Sequence, residues 1–383
     1  MAYDPLFEKL TCVIFDSYME CVMKINKLMV AGPTEIEDIV RQAGSNLMVY
    51  NRTPEFSQFL IEIEENLKAF FKTKNDVFIL SSSGTGAMEA AVVNLLSPGD
   101  EVVIVSGGTF GYRWYEIANS YNVKCLIIDM PQGDTVAPEL IRDRITSNTK
   151  AVFVTANETS IGVLTDLEAI GNYVKDTNAI LVVDAVSSLG ADKLETDEWF
   201  CDVVITASQK ALAIPPGLSF ITVSEKAWKL IYKSKLPKYY FDLKRYKEDI
   251  LRGQTPFTPA ISLLYQLDIR LKKILETGLD VILKQQSEKA AHLCKGLKAL
   301  GLDVIGRTPS SGVIGILFPP QIDAFSIVET LRHEFSIEIT PSPGADKHRI
   351  ARIGLFGNIT FIDIDILLES LKKILIRHIS VRP

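Results

Sequence analysis

Ala179-Ile-Leu-Val-Val-Asp-Ala-Val-Ser-Ser188, followed by Asp202-Val-Val-Ile-Thr-Ala-Ser-Gln-Lys210, decides the fold. Each half is an apolar, β-branched run of strand length that gives way to small polar residues, the pattern of a buried parallel strand opening at its carboxyl end. Asp184 stands at the mouth of the first run and Lys210 just past the second, 26 residues later, a separation that fits a strand, a connection and the next strand. A charged residue closing a run of Val and Ile is costly unless it meets a partner or a ligand. One ligand satisfies both: a pyridine ring with an aldehyde, Lys210 forming a Schiff base and Asp184 keeping the ring nitrogen protonated, which is the chemistry of pyridoxal phosphate. From spacing alone the alternative stays open that Asp184 caps a helix and Lys210 is solvated.

Outward from this pair, short apolar runs recur at 77–80, 101–105, 124–129, 151–155 and 218–223, most of them separated by helical patterns at 112–121, 138–146 and 166–177. Such alternation predicts an α/β fold with a mostly parallel sheet flanked by helices, whose ligands bind beyond the carboxyl ends of the strands. After the run at 77–80 comes Ser81-Ser-Ser-Gly-Thr-Gly-Ala-Met-Glu-Ala90, small residues leading into an Ala-rich helix. Its open backbone N–H groups suit an anion, although a plain strand-to-helix turn uses the same residues. Neither a dinucleotide fingerprint nor a P-loop is present, because Glu89 stands where a glycine is required and no Gly-Lys-Ser/Thr follows.

Gln254-Thr-Pro-Phe-Thr-Pro259 is a stiff turn before a long helix starting near Ile261, the natural passage to a second unit with elements at 287–300, 312–318, 324–335 and 360–376. The expected division is an N-terminal extension over 1–30, a large ligand-binding unit over 31–260 and a smaller α+β unit over 261–383. On the last helix, Ile362, Ile366, Leu371 and Leu375 are expected to form one buried face. The stretch 226–252 interleaves Lys and Arg with aromatics, which fits packing at a subunit or domain seam.

With 383 residues, 47% of them apolar, the chain can bury sizeable cores, and its net charge of −6 gives no reason to expect nucleic-acid binding. No segment approaches ~18 uninterrupted apolar residues, and residues 1–10 lack the layout of a secretory signal, so the expected location is cytoplasmic. Five cysteines without ligand spacing read as reduced thiols, and four scattered histidines give no sign of a metal site or a His-based triad.

Taken in order, these motifs resemble the class V aminotransferases of fold type I that depend on pyridoxal phosphate, with the alanine-glyoxylate and serine-pyruvate group nearest. The resemblance runs from about Gly32 to the end. It implies that Lys210, in Ser208-Gln-Lys-Ala-Leu212, is the Schiff-base lysine and proton shuttle, and that Asp184 partners the pyridine nitrogen. It implies further that Val186 packs on the ring, that Ser83, Gly84, Thr85 and Gln209 hold the phosphate, and that Phe110 stacks on the ring where several members carry Trp. Thr159 would bond the phenolic oxygen, and Arg352, in Ala351-Arg-Ile-Gly-Leu-Phe-Gly357, would grip the substrate carboxylate with Gly32 beside it. The family completes each phosphate site from a second subunit through the segment at 254–258, which implies a homodimer. Gln254, Thr255 and Thr258 are candidates there, although strict alignment sets Phe257 on the family's threonine.

The implied reaction moves an amine from alanine or serine to glyoxylate or pyruvate. A 2-aminoethylphosphonate-pyruvate transaminase is the alternative, with Arg52 as an added cation. A cysteine desulfurase shares the fold but needs a mobile cysteine, which 340–346 lacks. A non-catalytic protein that merely binds pyridoxal phosphate is the third class.

Overall fold

The computed structural model describes residues 27–380, with no account of the side chains at 345 and 378–380. The N-terminal extension expected over 1–30 therefore lies outside the described residues up to residue 26. Seven strands form the principal sheet: β1 (Asp76–Leu80), β2 (Glu101–Ser106), β3 (Lys124–Asp129), β4 (Thr149–Thr155), β5 (Ile180–Asp184), β6 (Val203–Ala207) and β7 (Ser219–Val223). Their order across the sheet is β1-β7-β6-β5-β4-β2-β3. Only β7 runs against its neighbours, so β1 through β6 point the same way and present their carboxyl ends along one edge.

The unbroken Val and Ile runs follow from burial on both faces. Leu181 and Val183 enter one core with Val103 and Val105, while Ile180 and Val182 enter the other with Val102 and Ile104. Alternate residues of a strand point to opposite faces, so two buried faces leave no position for a polar side chain until the strand ends. Helix α1 (Pro54–Phe71) covers the first face; Thr53 caps it by accepting from Phe56 N at 3.2 Å, with Pro54 in the first turn. Helix α2 (Gly84–Leu95) is Ala-rich and almost wholly buried against the second face, and α3 (Thr109–Ser120) packs beside it.

Two long helices, α4 (Ile261–Thr277) and α5 (Leu279–Ala299), lead to a second, antiparallel sheet. Its strands are β8 (Asp303–Val304), β9 (Val313–Leu317), β10 (Thr340–Pro341) and β11 (Ile350–Gly354), in the order β8-β9-β11-β10. Helices α6 (Ala324–Phe335) and α7 (Phe361–Ser380) close its core. That core also receives Met29, because Lys27–Leu28 pairs in parallel with Ile337–Glu338. The buried face expected on the last helix is corrected. Leu371 and Leu375 are buried, but Ile362 is 70% and Ile366 53% exposed. The buried stripe runs through Ile364, Leu367, Leu371 and Ile374, which keeps a three- or four-residue step, whereas Ile366 to Leu371 is a step of five and leaves the face.

Candidate active site

β5 and β6 lie side by side in parallel, with Asp184 paired to Ile205, so the two strand mouths open together. Asp184 is buried, and its Oδ1 accepts from Val186 N at 2.9 Å. Burial pushes its carboxyl up to about 6; nearby Glu158 adds to the rise, and Arg113 and Lys210 oppose it. The Lys210 amine donates to Ala31 O and stands 5.9 Å from the centre of the Phe356 ring. Burial lowers its pKa to about 8, Arg352 pushing the same way and Asp184 the other. A lysine so placed is partly neutral near pH 7 to 8 and can act as nucleophile or base.

These two residues share a cavity of about 120 Å³. Ser83, Gly84 and Thr85 line it at the start of α2; Phe110 enters from α3; Thr159, Val186 and Gln209 complete the walls. The Thr159 hydroxyl donates to Ser187 Oγ at 2.8 Å. Gly32 stands against the lysine: a Cβ there would lie 2.6 Å from Lys210 Nζ.

Arg352 comes from the second sheet and is buried, 9% exposed. It donates from Nη1 to Thr159 O at 3.1 Å and from Nη2 to Pro341 O at 2.9 Å, while its buried Nε has no partner among the described residues. Burial lowers its pKa to about 10, so it stays charged at neutral pH, with Glu158 favouring the charge.

Three expected residues lie apart from the cavity. Gln254 and Thr255 border a separate groove with Val77 and Phe78, and Thr258 is exposed. Gln254 donates to Ser57 Oγ and accepts from Arg52 at 2.8 Å, and Arg52 also donates to Thr255 O at 2.9 Å. Arg52, the cation weighed for a phosphonate, is thus turned toward this segment.

Sequence reasoning missed Met88, Arg113, Ser187 and Glu158 as parts of the site. The first three line the cavity. Arg113 reaches Thr85 Oγ1 at 3.3 Å and lies 4.8 Å over the Phe110 ring. Glu158, 5% exposed, accepts from Gly111 N at 2.9 Å, Phe110 N at 3.3 Å and the Ser160 hydroxyl at 2.5 Å. It thereby holds the first turn of α3, and Phe110 with it, while placing a negative charge near Arg352. The available signal was an acid just past an apolar strand, the same one that marked Asp184.

The family model for aminotransferase class V matches residues 27–352, and the chain belongs to that family. It is 36% identical over 354 residues to a protein of Synechococcus named soluble hydrogenase, small subunit, covering 91% of this chain and 92% of the relative. It is 34% identical over 343 residues to a serine–glyoxylate aminotransferase of Hyphomicrobium methylovorum, with 86% and 84% covered. Among solved structures, an alanine–glyoxylate aminotransferase from Nostoc superposes with a TM-score of 0.87 at 27% identity, over 91% of this chain and 94% of that one. The fold is that of the pyridoxal-phosphate-dependent aminotransferases of fold type I, and the chain is a pyridoxal-phosphate-dependent aminotransferase.

The residues present fit the cofactor. An anion finds a helix start with hydroxyls at Ser83 and Thr85, and beside Lys210 the Gln209 side chain lines the same cavity. Gly84 keeps this floor open, since a Cβ there would come within 2.8 Å of Val186 Cγ2. Phe110 and Val186 offer flat and apolar surface, and Asp184 is a buried acceptor for a positively charged ring N–H.

Proposed function

We propose that this protein transfers an amine from a small amino acid, alanine or serine, to glyoxylate or pyruvate. One observation carries the choice of substrate class. A buried, charged guanidinium, Arg352, is held rigidly by two carbonyls with its Nε unused, and its charge acts on Lys210. A fork fixed beside the base suits a substrate whose carboxylate is one carbon from the amine or carbonyl. The names of the relatives support glyoxylate as the acceptor, since the Hyphomicrobium and Nostoc proteins share it.

In this reading Lys210 carries the cofactor and moves the proton, and Asp184 faces the ring nitrogen. Ser83, Gly84, Thr85 and Gln209 hold the phosphate; Phe110 and Val186 take the two sides of the ring, and Thr159 its oxygen. Pyridoxal phosphate, when bound, supplies a carbonyl that condenses with amines and a ring that withdraws electrons from the α-carbon. The protein's share is position and proton transfer. Arg352 would bind the acid with its α-carbon toward Lys210, whose depressed pKa lets it take a proton and return it.

Two further points belong to the same proposal: a cofactor-holding unit that ends near residue 260, and a cytoplasmic homodimer in which 254–258 reaches the partner's phosphate site. A strip of exposed apolar side chains supports the dimer, with Leu47 89%, Met48 67% and Tyr50 70% exposed. Among the described residues no helix is long and apolar enough to cross a membrane. A desulfurase finds no support, because Cys294 lies on α5 against the C-terminal core, where burial raises its pKa.

The test is the visible spectrum of the purified protein with pyridoxal phosphate, read before and after adding L-alanine, L-serine or 2-aminoethylphosphonate separately. Loss of the lysine-bound band with stoichiometric 2-oxo acid from alanine or serine, restored by glyoxylate and absent in Lys210→Ala, is the expected result. Discharge by the phosphonate alone would overturn the substrate assignment.

A further inference from the structure

A second cavity, of about 180 Å³, opens between α4, α5 and the turn after β11, on the far side of Ala211 and Phe356 from the site described above. Its charges do not balance. Arg270, Lys273 and Lys289 line it, and among the described residues Glu37 is the one acid that does. Glu37 is already engaged twice, accepting from Arg270 Nη1 at 2.9 Å and from Lys273 Nζ. Among the described residues Lys289 has no carboxylate partner; its amine donates to Ile359 O at 3.2 Å, which leaves N–H groups for a ligand.

Arg270 is similarly incomplete. Its Nη2 reaches Ala211 O at 3.5 Å, and its buried Nε finds no partner among the described residues. Burial lowers the proton affinity of both Arg270 and Lys289, and for Lys289 the charge of Arg270 adds to the effect with no carboxylate opposing it. Two like charges held close together and half-dehydrated repel each other and forgo hydration. An arrangement of this kind is stable when a counter-charge occupies the space between them. The small neighbours Gly190, Ala191 and Ala211 leave that space clear.

We propose that this cavity between the two units binds a compact dianion, a phosphate or a small dicarboxylate, through Arg270 and Lys289. The volume suits a ligand of a few heavy atoms, and two negative charges match the two positive charges that Glu37 leaves over. Lys273, half-exposed at the rim, adds steering.

The experiment is calorimetric titration of the holoenzyme, its cofactor site filled, with inorganic phosphate and separately with succinate, at ionic strength fixed with sodium chloride. Saturable binding of at least one, weakened at least about tenfold in Lys289→Gln and in Arg270→Gln, is expected, because each variant loses a charge-assisted hydrogen bond. Binding by the Arg352→Lys holoenzyme remains at the wild-type level, since that residue is not among those lining this cavity. Which titrant saturates distinguishes an oxyanion from a dicarboxylate. Absence of saturable binding for both, affinity unchanged in Lys289→Gln, or affinity lost in Arg352→Lys overturns the proposal. Lys289 is only half-buried, so its variant folds even if Arg270→Gln, which leaves Glu37 with Lys273 alone, does not.

Discussion

Replacing Arg352 by Lys separates charge from fork. The guanidinium is 9% exposed, and its pKa of about 10 keeps it positive at pH 7.5. Lysine keeps the positive charge and can still donate to Thr159 O or Pro341 O, which Arg352 holds at 3.1 and 2.9 Å. The fold therefore survives. What lysine cannot do is hold both carbonyls and still present planar N–H groups to a carboxylate. Losing one charge-assisted hydrogen bond, with poorer aim for the other, costs about 2–3 kcal/mol, or about 30- to 150-fold in kcat/KM. The assay compares L-serine with ethanolamine, the same amine without the carboxylate, by single-turnover loss of the lysine-bound cofactor band. Serine is expected to fall by that factor and ethanolamine by less than about threefold, in the absence of any carboxylate to grip. Equal losses for the two amines would refute the assignment, because Arg352 would then act on the lysine or the fold and not on the acid.

Gly84→Ala drives a methyl to within 2.8 Å of Val186 Cγ2, so it should weaken cofactor binding by about tenfold or more, and Val186→Ala should recover most of the loss; titration by absorbance reads both. In the apoprotein, Lys210 has a pKa of about 8 against 10.5 when unfolded, so between those values the unfolded chain binds a proton that the folded chain does not. Stability from this group therefore rises with pH across that window, is lowest below it and gains nothing more above it. Lys210→Met should be more stable than wild type by a few kcal/mol at pH 7, on the order set by a shift of this size, with the gap closing by about pH 10; denaturant melts at several pH values check this. Leu47→Glu with Met48→Glu places charge on the exposed apolar strip, and sedimentation should show dimer giving way to monomer with poorer cofactor retention. A wild-type protein that sediments as a monomer would remove the basis for that expectation.

The site is legible in the sequence wherever a strand announces its own end. Burial on both faces of β5 and β6 forces an apolar run, and a charge stopping such a run has to face something, which is why Asp184 and Lys210 stand out from the amino-acid order alone. Ser83 to Thr85 stand out by another signal, small residues between the apolar run of β1 and an Ala-rich helix. Glu158 escapes notice although it follows β4 closely, because most of its partners are backbone N–H groups that no side-chain pattern records. Arg113 escapes because it works from inside a helix, where a cation reads as solvated surface. The antiparallel course of β7 is equally hidden, since direction leaves no trace in a five-residue strand. On the last helix, the grouping of four apolar residues ignores the step of five between Ile366 and Leu371, and the period of 3.6 excludes half of them.

The two halves of the site come from different sheets, so the chemistry depends on how firmly those sheets are joined. Arg352 is fixed to the carbonyl of Thr159, whose hydroxyl binds Ser187 at 2.8 Å. Asn157 donates to Ser187 O at 3.0 Å and to Ser310 Oγ at 2.8 Å, and Ser310 in turn donates to Asp192 at 2.7 Å. Ser311 N also reaches Asp192, at 2.6 Å, and Ser342 Oγ reaches Ser160 O at 3.1 Å. Nearly every bond in this chain is buried, where a missing partner costs more than a made bond contributes. The network therefore works less as glue than as a gauge: any slide of the second sheet strands several polar groups at once. Arg352 and the Lys210 amine are held in register by that penalty, and under the proposed function such fixed spacing would let a positioned lysine act on a bound acid.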